Sequence, residues 1–319
     1  MLPRISAIVV ASLLLVPQAF GAGRGSSHEV QVAVDGILEG REPHSHISRI
    51  IFLRQESYAS NLLATRLHAH SVDMRRRAAE GLARLAGPAQ LGALTHAAED
   101  GDGPVRMATA QALGRAGRGA VPVLLGLLGD KTYGVRREAA RALGKVGGPA
   151  EGPKLFARLK DEPELEVQTA LILATGEVKA KAMRPKLVPL LRSDSEGTRQ
   201  AATRALCLLG ASEGFAQVNQ QLQGKELYPR LAAVELLAGV PLKHTAPLLK
   251  PLLDDPEPRI QAVAARSLAQ AGEAKARTWL ILAAAQAAPG KRDPYLRELE
   301  TLGVTEVESN RVLRKAGLK

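Results

Sequence analysis

Seven histidines, one cysteine and an excess of arginine are the side chains of this 319-residue chain that could do chemistry. Imidazoles ligate zinc or copper, and here they come as His44-x-His46 and His68-x-His70, with His96 further on. On a helix an i, i+2 spacing points two rings away from each other, and no carboxylate or cysteine completes a ligand set at either pair. Cys207 has no second cysteine to bond with, so no intramolecular disulfide framework exists. It also falls at a small-residue position of the repeat described below, which reads as a packed, inert thiol. No glycine-rich phosphate loop and no nucleophile elbow occur. The expectation from these residues is no catalytic set, no metal site and no cofactor.

The arginines offer recognition instead. The formal charge is +11 and the isoelectric point near 10.0, a balance that attracts acidic surfaces of nucleic acid, lipid, polysaccharide or protein. Only 3% of residues are aromatic, and neither Trp279 nor the few tyrosines fall in a basic stripe. Stacking platforms for nucleic acid are therefore missing, which argues against that partner.

Positioning these side chains falls to a repeat. Val135-Arg136-Arg137-Glu138-Ala139-Ala140-Arg141-Ala142-Leu143-Gly144-Lys145-Val146-Gly147 gives the pattern V-R-x-x-A-A-x-A-L-G-x-V-G. Copies start at residues 74, 105, 135, 167, 198, 229 and 260, with spacings of 31, 30, 32, 31, 31 and 31. Counted from each start, apolar residues at 0, +4, +8 and +11 mark one face of an amphipathic helix, helix B. The +9 column is small throughout (Ala83, Gly114, Gly144, Gly176, Cys207, Ala238, Ala269), which requires close approach of another backbone. Glycine at the end of most copies supplies a C-cap.

A second helix, helix A, precedes each start, as in Pro122–Asp130, Pro185–Arg192 and Pro247–Asp254, with Pro153 in the same column. Its early proline suits a first turn, and Pro189 or Pro251 a turn later would bend it. In the intervening turns, Asp255-Pro256 reads as N-cap and N1, and Ser193–Glu196 as a capping box. One such pair cannot bury its apolar face, but a stack can. The expected fold is an all-α, right-handed α-α superhelix of about seven two-helix repeats over residues 74–288. Helical caps are expected at 23–73 (Val30–Leu38 and Ile47–Leu67) and at 289–319 (Tyr295–Leu299 and Val307–Leu313).

The repeat closely resembles HEAT repeats, and its short period the class called PBS-lyase HEAT-like repeats. The resemblance spans residues 74–288 and is specific for fold rather than for function. Deoxyhypusine hydroxylase, a HEAT-like enzyme, holds two irons with His-Glu pairs on its helices; the pair here is His28-Glu29, outside the array, and no helix-B copy contains histidine. Phycobilin lyases share the repeat class, but a buried-looking cysteine and an export signal give that activity no support. HEAT-like DNA alkylation-repair glycosylases place aromatic residues on a basic concave surface, and the aromatics are absent here.

The resemblance places helix B on the concave side. Its +2, +6 and +10 positions then form a basic strip for an acidic protein partner, carried by Arg76, Arg84, Arg115, Arg137, Arg141, Lys145, Arg204 and Arg266. The +1 arginines (Arg75, Arg106, Arg136, Arg199, Arg230) read as structural, fastening neighbouring repeats to acids such as Asp102 or Asp130.

Residues 1–22 read as a signal peptide: Arg4, an apolar run from Ile5 to Val16, Pro17, then Ala19-Phe20-Gly21-Ala22 with cleavage after Gly21 or Ala22. The run is short for a bilayer span of about 20 residues, and no other segment is apolar enough to cross a membrane. The functional expectation is an exported, periplasmic or secreted, monomeric and non-enzymatic scaffold that binds protein through its concave face. The alternatives are a lyase-type accessory factor and an envelope protein binding anionic polysaccharide or lipid.

Overall fold

The computed structural model describes residues 26–318, so the leader assigned to residues 1–22 lies outside the described residues. Those described form nineteen α-helices and eight short 3-10 segments, with no strand among them. The chain enters through α1 (Ser27–Leu38), α2 (Pro43–Phe52) and α3 (Glu56–Arg66). The array follows as α4 (Val72–Leu85), α5 (Leu91–Ala97), α6 (Gly103–Leu113), α7 (Val121–Leu127), α8 (Tyr133–Val146), α9 (Gly152–Arg158) and α10 (Leu165–Glu177). It continues through α11 (Arg184–Leu187), α12 (Glu196–Leu209), α13 (Ser212–Leu222), α14 (Leu227–Glu235), α15 (Leu242–Leu249), α16 (Pro258–Gln270) and α17 (Ala276–Gln286). The chain leaves through α18 (Asp293–Thr301) and α19 (Glu306–Lys315). The architecture is an all-helical solenoid, a right-handed superhelix of two-helix repeats.

Each of the seven repeat starts is the third residue of an even-numbered helix from α4 to α16. Successive helices B stack through the small column. A Cβ on Gly114 would lie 3.1 Å from that of Ala142, and one on Gly176 would lie 2.5 Å from the Ala205 Cα. A Cβ on Gly144 would lie 3.3 Å from the Ala174 Cα. At these three junctions the +9 glycine of one copy thus receives the +7 alanine of the next, which keeps both positions small there. The leucines Leu82, Leu113 and Leu143 are fully buried beside this seam. Burying such a side chain contributes about 1.5–3 kcal/mol each.

Polar clamps run along the turns. Arg75 Nε reaches Asp100 at 2.6 Å, Arg106 Nε reaches Asp130 at 2.7 Å, and Arg136 Nη2 reaches Glu162 at 2.7 Å. Arg230 pairs with Asp255 in the same way. Each acid stands five residues before the next copy's start and also accepts the N–H two residues on, at Asp102, Thr132, Glu164 and Glu257. The arginine also donates to carbonyls of its own turn, as Arg136 does to Asp130 at 2.9 Å. Each clamp therefore joins two turns by a fork of charge-assisted bonds. Two details differ from the expectation. Asp102 takes Arg76 rather than a +1 arginine, and Arg199 bonds Glu196 of its own helix because Gly224 occupies the place of the next acid.

Turn details differ as well. Around Pro189 and Pro251 helix A tightens into 3-10 turns over Val188–Arg192 and Lys250–Asp254, since proline has no N–H to continue the α-helix. Glu257 caps α16, leaving Asp255 free for Arg230, and Ser195 alone caps α12 by accepting the Thr198 N–H. Gly210 and Gly272 end their helices in the left-handed region, but α10 ends there on Lys179 (φ +57°).

The seam loosens between α12 and α14. Cys207 fills the small column there and Leu236 stands where earlier copies place alanine, so the two helices lose close contact. The turn acids are also replaced, by Ser193 and Gly224. Arg204 bridges the opening, its Nη1 donating to the Glu235 carbonyl at 3.0 Å.

Beyond the array, α1 packs on α4 and α18 packs on α16. The Tyr295 hydroxyl bonds Gln261, and Arg266 pairs with Glu298 at 3.0 Å. The segments flanking the repeats thus continue the stack by one helix at each end.

Candidate functional site

The eight strip cations do not form one surface. Arg76 grips Asp102 through Nε at 2.9 Å and Nη2 at 2.7 Å. That hydrogen bond, with the Val105 N–H, holds the Asp102 carboxyl down at about 2. Arg137 bonds Glu166 and, at 3.1 Å, Glu138, which also accepts Arg141 Nη1 at 3.1 Å. Arg204 caps the α14 carbonyls, and Arg266 pairs with Glu235 and Glu298. Arg84, Arg115 and Lys145 are exposed and make no hydrogen bond or ion pair with another described residue. They occupy the same +10 column on three consecutive helices, α4, α6 and α8.

These three cations line one cleft of about 540 Å³. Its second wall is α2 and the end of α1, contributing Pro43, His44, Ile47 and Ile37. Its floor holds Arg77, Glu80, Gln111 and Glu138. The local sequence explains the wall. Glu42 adopts a positive φ of 33° ahead of Pro43, which turns the chain sharply into α2. Ile47 and Ile50 then bury against α1, and the His46 ring lies where a Cβ on Gly36 would stand. His44 is left facing the cleft. Arg77 ties the floor to the wall, its Nη1 donating to the Leu38 carbonyl at 2.8 Å. The result is a cleft that combines three exposed cations with Pro43 and the buried edges of Ile37 and Ile47.

His44 and His46 therefore serve different surroundings, while the His68 and His96 rings meet edge to face at 6.3 Å. No three His, Cys, Asp or Glu side chains among the described residues are placed to hold a metal ion. Cys207 is buried, and burial pushes its thiol up to about 12. No helix among the described residues is long and apolar enough to cross a membrane.

Repeat-column reasoning missed α2, which lies outside the repeat, and Glu138, which departs from the alanine that four copies carry in its column. The signal for Glu138 was present: an acid one turn before Arg141 and next to Arg137.

A family model described as HEAT repeats matches residues 100–176. Among curated proteins, a phycocyanobilin lyase subunit alpha from Nostoc sp. is 30% identical over 160 residues, 47% of this chain and 50% of that protein. Its counterpart from Picosynechococcus sp. is 32% identical over 46% of this chain and 59% of that protein. A bilin biosynthesis protein, PecE of Mastigocladus laminosus, is 29% identical over 43% of this chain and 39% of its own length. The chain spans about half the length of the curated relatives it matches. Among solved structures, the complex of CpcE and CpcF of phycocyanin lyase from Nostoc sp. contains a chain of the same fold. That match has a TM-score of 0.53 at 22% identity and covers 76% of this chain and 94% of the other. These relatives correct the expectation of a non-enzymatic scaffold, because the curated proteins are named for a lyase and for bilin biosynthesis. The expectation rested on missing catalytic side chains. Such an absence excludes nothing where the reacting groups belong to a ligand and a partner.

Proposed function

We propose that this HEAT-repeat chain, whose repeats are of the PBS-lyase HEAT-like class, is a lyase-type subunit that holds a bilin against a protein partner. The observation that carries the reading is the cleft under α2, where Arg84, Arg115 and Lys145 face an apolar wall. A bilin is an open-chain tetrapyrrole with a flat conjugated body and carboxylate side arms. The cations suit its carboxylates, as charge-assisted pairs in a partly dry groove. Ile37, Pro43 and Ile47 suit its body, and Glu80 can accept from a pyrrole N–H. Lyase chemistry adds or eliminates across a double bond. A thiol for such an addition would come from the partner, since Cys207 is buried and stays protonated.

The likeness to lyase subunits supports the same reading, including the need for a second protein. We further propose export, on the strength of the sequence of residues 1–22. The test is titration of the full chain with phycocyanobilin, followed by absorbance and fluorescence. The wild type is expected to shift and sharpen the long-wavelength band, and R84E/R115E/K145E to weaken binding at least tenfold. No spectral change with the wild type would overturn the reading.

A further inference from the structure

A second cleft, of about 590 Å³, opens at the far end of the stack among α14, α16 and α18. Leu231, Ala262 and Val263 supply an apolar floor, from the +2 and +3 positions of their helices B. Three cations rise around it from separate elements: Arg259 at the start of α16, Lys291 in the 3-10 turn before α18, and Arg297 in α18. All three are exposed, and none of their charged groups forms a hydrogen bond or an ion pair with another described residue. Two of the three acids of the cleft are otherwise engaged. Glu257 accepts the Arg259 backbone N–H at 3.2 Å and so caps α16. Glu298 faces Arg266 at 3.0 Å. Asp293 stands in the first turn of α18, where the free N–H groups of the helix stabilise its charge.

We propose that this cleft docks an acidic, extended segment of a protein partner. Charge complementarity selects the occupant: three cations free of ion pairs stand against a single unpaired acid, Asp293, around an apolar floor. An extended strand whose acidic and aliphatic side chains alternate meets both, since successive side chains point to opposite faces about 3.3 Å apart along the chain. Acidic residues then reach the rim and aliphatic ones the floor. The basic strip inferred from sequence does not include these residues, because Arg259 precedes the repeat start and Lys291 and Arg297 lie beyond the last copy. The inference is independent of bilin binding at the other cleft.

The experiment uses the full chain and a fluorescein-labelled decapeptide of alternating Asp and Leu, read by fluorescence anisotropy. A peptide with Asn in place of Asp is the control. The acidic peptide is expected to bind the wild type and to weaken at least tenfold between 50 mM and 300 mM salt, whereas the Asn peptide is not retained. R259E/K291E/R297E should weaken binding at least tenfold, and R84E/R115E/K145E less than threefold. Absence of binding by the wild type, equal binding of the Asn peptide, or equal loss in both triple variants would overturn the proposal. Unchanged circular dichroism of the variants excludes misfolding as the cause, since all the altered side chains are exposed. A failure here leaves the pigment titration unaffected, so the two readings fail separately.

Discussion

Arg136 is the clamp whose removal should be felt most. Its guanidinium is buried and holds Glu162, which is 3% exposed, through Nε–Oε2 at 2.8 Å and Nη2–Oε1 at 2.7 Å. Burial pushes the Glu162 carboxyl up, but Arg136 and the Glu164 N–H outweigh it and hold the group below the ordinary carboxylate range. Arg136→Met keeps the aliphatic stem and removes the charge. Glu162 then retains the Glu164 N–H and Arg158 at 3.7 Å, too little to offset its lost hydration. Breaking a buried pair by removing one partner costs about 3–5 kcal/mol, and the remaining Arg158 favours the lower end, about 3 kcal/mol. With a urea dependence of about 3 kcal/mol per molar, the midpoint of a circular-dichroism melt should fall by about 1 M.

The sign with pH follows. A depressed pKa adds stability that is full above the unfolded value and is lost as pH falls through the folded one. In the variant, burial without Arg136 raises the pKa instead, so its deficit against wild type should be largest at neutral pH and shrink toward pH 4. R136M/E162L should recover most of the loss, because two apolar groups leave no buried charge. A control on the exposed Arg184–Glu213 pair, 2.8 Å apart, should leave the midpoint unmoved when Arg184 becomes Ala. A midpoint shift for R136M no larger than for R184A, or a double variant less stable than R136M, would refute the reasoning.

Lys179→Gly should stabilise the chain by about 1 kcal/mol, because a non-glycine residue held in the left-handed region costs about that much. A thermal melt checks it, and a lower midpoint would mean the lysine stem packs usefully. Gly176→Ala should destabilise by about 1–3 kcal/mol through overpacking against Ala205, read in the same melt. Substituting Gly126, which meets no atom within 4 Å, should show none of that packing cost.

The array was legible in the sequence because its seam imposes a column. A glycine that must receive an alanine Cβ recurs at a fixed interval, and Gly114, Gly144 and Gly176 announce it. The +1 arginines recur in a column as well, but which acid each one meets is not periodic. Asp130 lies just ahead of Arg136 in sequence but bonds Arg106, because the clamp joins one repeat to the next. The first cleft was half legible. Arg84, Arg115 and Lys145 share a column, but their isolation depends on where Asp102, Glu138 and Glu166 reach, and side-chain reach across repeats leaves no periodic trace. The wall built by α2 depends on the Glu42 turn and on Gly36 accommodating His46, both outside any repeat. The non-enzymatic expectation rested on missing catalytic side chains, and relatives named for a lyase overturn it.

The loosened seam between α12 and α14 has a mechanical meaning. A solenoid couples each layer only to its neighbours, so bending collects wherever one coupling is soft. The closely packed layers before the opening carry the first cleft, and the layers after it carry the second. Arg204 acts as a tie across the joint rather than as a weld. A partner gripping both would feel an effective concentration set by that joint, and stiffening it would tune affinity without touching either binding surface.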